Sequence, residues 1–114
     1  MTYGECCEPF HRGAASPPTA EALMRSRFTA FALKDEGYLL RSWHSRSRPK
    51  QIDFSDGLRW LRLEVLSGTK GGLFDDHGTV MFEAHYTEAG ERATMRENSH
   101  FTREDGQWRY TGPV

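Results

Sequence analysis

Along the chain the apolar positions recur first at helical spacing and then at every second residue. Leu23, Met24, Phe28 and Phe31 stand three and four residues apart, which predicts an amphipathic helix over about 20–33. Thr19 supplies its N-cap, and Glu21 in the first turn complements the helix dipole. Asp35 is a second N-cap candidate, followed by Tyr38, Leu39, Leu40 and Trp43, so a short second helix with an aromatic end is expected. From Leu58 the period becomes two. Leu61, Leu63 and Val65 alternate with Arg62 and Glu64, and Val80, Phe82, Ala84 and Tyr86 alternate with Met81, Glu83 and His85, the mark of half-buried strands. Between them, Ser67 to Gly78 holds four glycines and reads as a long, mobile connection.

Two turn signals fix the pairing. If Ala89-Gly90 is a two-residue hairpin loop, Tyr86 faces Ala93, Ala84 faces Met95, Glu83 faces Arg96 and Phe82 faces Glu97. Asp105-Gly106 likewise sets Phe101 across from Tyr110 and Arg103 across from Trp108. Both hairpins assign the same residues of their shared strand to the apolar face, which carries Phe82, Ala84, Tyr86, Met95, Phe101, Trp108 and Tyr110. The other face carries Glu83, His85, Arg92, Arg96 and His100, with Glu83 and Arg96 as a cross-strand ion pair. Helices followed by antiparallel strands with one apolar face make an α+β fold in which the sheet wraps the helices.

Composition narrows this little. A length of 114 residues fits one domain, and 37% hydrophobic against 27% charged residues with a net charge of −1 exclude disorder and a globally basic nucleic-acid binder. Met1 leads into polar residues and no apolar run suits a signal peptide or membrane span, so cytoplasmic residence is the expectation. The only two cysteines are adjacent, a geometry too strained for a routine bridge, so no intrachain disulfide is expected.

Those cysteines carry the first candidate chemistry. Cys6, Cys7 and His11 offer zinc three ligands where a structural site takes four. The site is therefore truncated, completed by another molecule, or without metal. Glu5 and Glu8 disfavour thiolates and argue against a reactive dithiol.

The second candidate is Glu97, which the pairing puts on the apolar face beside Phe82 and two positions from Ser99. A carboxylate there needs a partner or a proton, and one poised between the two suits a general base. Arg27 shares a helical face with Leu23, Met24 and Phe31 and is the expected partner, in a buried ion pair. Tyr38, Trp43 and Trp60, with His44 beside them, and the inner-face Phe82, Phe101, Trp108 and Tyr110 are placed around a ligand pocket. Asp75, Asp76 and His77, like His85 and His100, fit no closed metal-ligand spacing. Arg41, Arg46, Arg48 and Lys50, with Trp43 among them, form an exposed basic loop too weakly charged for tight phosphate binding. No phosphate loop, dinucleotide fingerprint, nucleophile elbow or zinc-protease helix occurs.

Gly4-Glu5-Cys6-Cys7-Glu8-Pro9-Phe10-His11 and the helix Thr19 to Phe28, with Glu97-Asn98-Ser99-His100-Phe101 and Glu104-Asp105-Gly106-Gln107-Trp108-Arg109-Tyr110, resemble the bacterial YchJ-like family over essentially the whole chain. The resemblance implies a nuclear transport factor 2-like, cystatin-like cone at 19–114, preceded by an arm at 1–18 with part of a SEC-C zinc motif. That motif usually opens with Cys-x-Cys-Gly-x-Gly; here only the second pair, Cys6-Cys7, is found, which points to a natural start upstream or to an incomplete knuckle. The resemblance supplies no reaction and no certain cofactor. The leading expectation is a cytoplasmic binding or interaction module with an unknown protein or small-ligand partner and no membrane role. The alternative is a small-molecule binder or enzyme using the cone, with Glu97 as base, Arg27 as anion partner and Ser99 nearby. Nucleic-acid contact through Arg41 to Lys50 is a weaker third reading, and a homodimer through His85, Arg96 and their neighbours is expected of the outer face.

Overall fold

The computed structural model describes residues 7–13 and 15–114. A short helix α1 (Glu8–His11) precedes α2 (Ala20–Leu33) and α3 (Glu36–Arg41), and four strands follow: β1 (Leu58–Lys70), β2 (His77–Glu88), β3 (Glu91–Glu104) and β4 (Gln107–Pro113). The strands form one antiparallel sheet in the order β1-β2-β3-β4, so the fold is α+β. The arm expected at 1–18 contains the short helix α1, where Pro9 is tolerated because it lies in the first turn, where the missing N–H bonds nothing.

The caps act as the sequence predicts. Thr19 accepts a hydrogen bond from the Ala22 N–H and Asp35 one from the Tyr38 N–H. Helix α2 ends where Lys34 adopts a left-handed conformation (φ 57°) and Asp35 N donates to the Ala30 carbonyl at 2.8 Å. The hairpins also hold their predicted register, pairing Phe82 with Glu97, Glu83 with Arg96, Ala84 with Met95 and Phe101 with Tyr110. Positive φ at both Ala89 and Gly90, and at both Asp105 and Gly106, is what a two-residue turn needs to match the strand twist.

Strand β1 departs from simple alternation. Trp60 pairs with Tyr86 and Leu63 with Ala84, and the register shifts between Trp60 and Arg62. Leu61 is the extra residue of this bulge and is 51% exposed, not inward as its alternation with Arg62 suggested. The bulge lets even-numbered Trp60 and odd-numbered Leu63 and Val65 share one face. The expected long connection from Ser67 to Gly78 is also shorter, because β1 runs to Lys70 and β2 starts at His77. Its glycines serve close approach: a Cβ on Gly78 would lie 2.5 Å from Gly71 Cα. Arg103 braces the remaining loop by donating to the carbonyls of Leu73 and Asp75, each at 2.8 Å.

Leu23, Leu39, Phe101 and Trp108 are fully buried between α2, α3 and the inner face of the sheet. Each large aliphatic or aromatic group so buried contributes roughly 1.5–3 kcal/mol, which makes this layer the main source of cohesion. Trp108 Nε1 also donates to the Pro18 carbonyl, tying β4 to the segment before α2. Among the described residues no helix is long and apolar enough to cross a membrane.

Candidate functional site

A cavity of about 260 Å³ lies between α2 and the inner face of the sheet. Met24, Phe28 and Phe31 reach it from α2, Trp60 from β1, Phe82 and Ala84 from β2, Met95 from β3, and Trp43 from the segment after α3. The Phe28 and Phe31 rings meet Trp60 at 5.7 and 6.2 Å between centroids, and Trp60 meets Tyr86 at 5.3 Å, so the apolar wall is an aromatic cluster with fixed ring positions. Among the described residues, Arg27, Glu97, Ser99 and Tyr110 bring charged or hydroxyl groups to the cavity.

Arg27 is 2% exposed. Its Nη1 donates to the Leu39 carbonyl at 2.9 Å and to Ser42 Oγ at 2.6 Å, while its guanidinium carbon lies 5.0 Å from the Trp43 ring centre and 4.5 Å from that of Tyr110. Burial pushes this guanidinium well below its ordinary value, to about 10, against the opposing influence of Tyr110, Tyr38 and Glu97. Glu97 Oε2 accepts hydrogen bonds from Ser99 Oγ and from the Tyr110 hydroxyl at 2.8 Å. Burial, then the hydrogen bond and charge of Glu97, hold the Tyr110 phenol above its ordinary range, with Arg27 working in the other direction.

The structure therefore brings Arg27, Glu97 and Ser99 to one cavity, with Trp43, Trp60, Phe82 and Tyr110 around them. The expected Arg27–Glu97 ion pair is not formed; Tyr110 stands between the two, and Arg27 finds its acceptors at the C-terminal end of α3. Tyr38, Phe101 and Trp108 are not in the wall. Tyr38 bonds Ser26 Oγ at 2.6 Å beneath α1, and Phe101 and Trp108 belong to the filled core. Met24, Phe28, Phe31, Ala84 and Met95 were not singled out as pocket residues, although the helical stripe and the hairpin register had already set each on an inward face.

The family model for the YchJ middle NTF2-like domain matches residues 19–113. The chain belongs to the YchJ-like family. A UPF0225 protein of Streptomyces coelicolor is 48% identical over 109 residues, covering 96% of this chain and 85% of the relative, and one from Corynebacterium glutamicum is 47% identical over 115 residues, covering 100% and 91%. Among solved structures, that of a SEC-C motif containing protein from Rhodopseudomonas palustris superposes with a TM-score of 0.88 at 30% identity, covering 100% of this chain and 91% of the other. A second, a SEC-C motif containing protein from Psychrobacter arcticus, gives 0.83 at 25% identity, covering 100% and 72%.

The described part of the YchJ-like arm, at Cys7 and His11, packs against α2 and α3. His11 is buried, its Nε2 lies 2.8 Å from the Ser26 carbonyl, and its ring tilts against Tyr38 at 4.6 Å. Because a carbonyl oxygen only accepts, Nε2 carries a proton in this contact. Cys7 Sγ lies 3.5 Å from Thr29 Oγ1. Cys6, the third member of the expected zinc set, lies outside the described residues. Cys7 and His11 are thus the members of that set that lie among the described residues.

On the outer face, Glu64, Glu83 and His85 are the one trio among the described residues whose donor atoms all lie within 4.8 Å of each other. Arginines already answer both acids, Arg62 at 2.6 Å from Glu64 and Arg96 at 2.9 Å from Glu83, while His85 Nε2 contacts Glu64 at 2.9 Å and its Nδ1 contacts Thr94. The charge of Arg62 and the hydrogen bond from His85 lower the Glu64 carboxyl. In the basic run, Arg41 donates to the carbonyls of Phe10 and His11 and Arg48 to that of Trp43, while Trp43 packs on Tyr110 at 5.0 Å. Two of the four cations thus bond backbone carbonyls, and the Trp43 ring packs against Tyr110.

Proposed function

We propose that this YchJ-like chain is a cytoplasmic binding protein for a small organic molecule, held in a cone formed by the sheet around α2. The observation that carries this reading is a cavity whose wall holds Arg27 and Glu97 without joining them. An interior serving structure alone would have been filled, or its two opposite charges paired, because buried charges are costly when uncompensated. At about 260 Å³ the space lies just below the ~300–1,000 Å³ typical of drug-sized ligands, which suits a molecule with a single ring or a short branched chain. We take the arm as an incomplete zinc knuckle in which Cys6, Cys7 and His11 would hold the metal, in a structural role apart from the cavity.

Calorimetric titration with 3-phenylpropanoate, an apolar ring bearing one carboxylate, tests the reading. Ala84 points into the cavity, so Ala84→Phe fills it. Binding to the native chain, lost in a folded Ala84→Phe variant, is the expected result. Binding that survives the filled cavity would contradict the assignment.

A further inference from the structure

We infer that the cavity takes a small zwitterion with an apolar body, its carboxylate on Arg27 and its ammonium on Glu97, as in an aromatic or branched amino acid. The inference rests on the binding function proposed above and names its ligand class.

Three observations support it. First, Arg27 is buried with its charge but bonds only neutral oxygens, through Nη1 alone; its Nε and Nη2 have no hydrogen-bond partner among the described residues. The ring faces of Trp43 and Tyr110 shield the guanidinium but accept no strong hydrogen bond. A carboxylate is the group that a guanidinium fork recognises with two parallel bonds. Second, Glu97 uses only Oε2, which receives two neutral hydroxyls, and Oε1 has no donor among the described residues. Donors to a carboxylate that are themselves charged are the stronger ones, so an ammonium is the natural complement. Third, the Tyr110 ring and hydroxyl keep the two charges apart on one wall. That wall sums to zero charge, so a ligand of zero net charge and two poles leaves neither group uncompensated, whereas a simple acid answers Arg27 and leaves Glu97 facing it. The body of the ligand meets Phe28, Phe31, Trp60 and Met95.

The test compares four probes on the full chain by calorimetry: L-phenylalanine, 3-phenylpropanoate, phenethylamine and indole. They share an aromatic body and differ in having both poles, the acid alone, the amine alone, or neither. The expected result is that L-phenylalanine binds at least about tenfold tighter than the acid or the amine, the least effect of losing one charge-assisted contact. Glu97→Gln, which preserves shape and the bonds from Ser99 and Tyr110, should bring L-phenylalanine to the level of 3-phenylpropanoate and leave the latter unchanged or tighter. Equal or tighter binding of any one-poled or neutral probe overturns the zwitterion while leaving the cavity's binding role intact. Failure of all four overturns both. The decision rests on Glu97→Gln and the probe series, which leave Arg27 and its contacts to Leu39 and Ser42 in place.

Discussion

Tyr110 separates Arg27 from Glu97 by serving both: its hydroxyl donates to the Glu97 carboxylate at 2.8 Å, and its ring centre lies 4.5 Å from the Arg27 guanidinium carbon. One side chain thus stands where an ion pair would otherwise close the cavity. Opposite charges inside a protein collapse onto each other unless something better placed intervenes, and here a phenol does so with its edge and its face.

Tyr110→Phe keeps the ring on Arg27 and removes the donor to Glu97. Urea denaturation should show a loss of about 1.5–2 kcal/mol, the lower part of the range for a bond to a charged group, since Ser99 continues to donate. The variant also has a pH signature. The folded chain holds the Tyr110 proton above the phenol's ordinary value of 10.0, so above that pH the unfolded chain binds fewer protons and stability falls as pH rises. Tyr38, raised chiefly by burial, acts in the same direction, whereas Arg27, lowered to about 10, acts oppositely. Removing the Tyr110 contribution should flatten the decline in denaturation midpoint above pH about 10, and an unchanged profile would count against the assigned environment.

Arg27→Met replaces a buried charge with an apolar side chain of similar length. The lost contacts to Leu39 and Ser42 are offset by relief from burying an unpaired cation, so stability should change by no more than about 1 kcal/mol. Binding of 3-phenylpropanoate should weaken at least about tenfold. A loss of several kcal/mol with binding retained would make Arg27 a structural residue.

Much of this arrangement was legible from local patterns. Thr19 and Asp35 announced their helices because capping depends on neighbours two or three residues away, and Ala89-Gly90 and Asp105-Gly106 set the register because two-residue turns leave it little freedom. That was enough to put Glu97 beside Phe82 on the inner face. Leu61 misled because alternation assumes no inserted residue, and one bulge reverses every later side chain. The partners of Arg27 were not legible, since they depend on where α3 ends against α2, a matter of packing between segments. For the same reason Tyr38 was assigned to the pocket when it lies under the arm.

Gly78→Ala tests the shortened loop. The added methyl would sit 2.5 Å from Gly71 Cα and N, atoms that cannot rotate away, so the two backbones must part. We expect destabilisation of about 1–3 kcal/mol or more by thermal denaturation, as for other overpacked sites. A neutral result would mean that the strands are not held this closely.

Zinc in the arm should fall well short of one per chain, because Cys6, Cys7 and His11 offer at most three of four ligands. Elemental mass spectrometry with a parallel thiol count checks this. One zinc per chain with protected thiols would show that further ligands are recruited from elsewhere or from a second chain.

The most direct test of the central claim is methionine-methyl NMR of the full chain, titrated with L-phenylalanine. Met24 and Met95 line the cavity while Met81 lies outside it, so the chain carries its own control. The account predicts saturable shifts at Met24 and Met95 with Met81 unmoved. Shifts confined to Met81, or none at any of the three up to millimolar ligand, would contradict it.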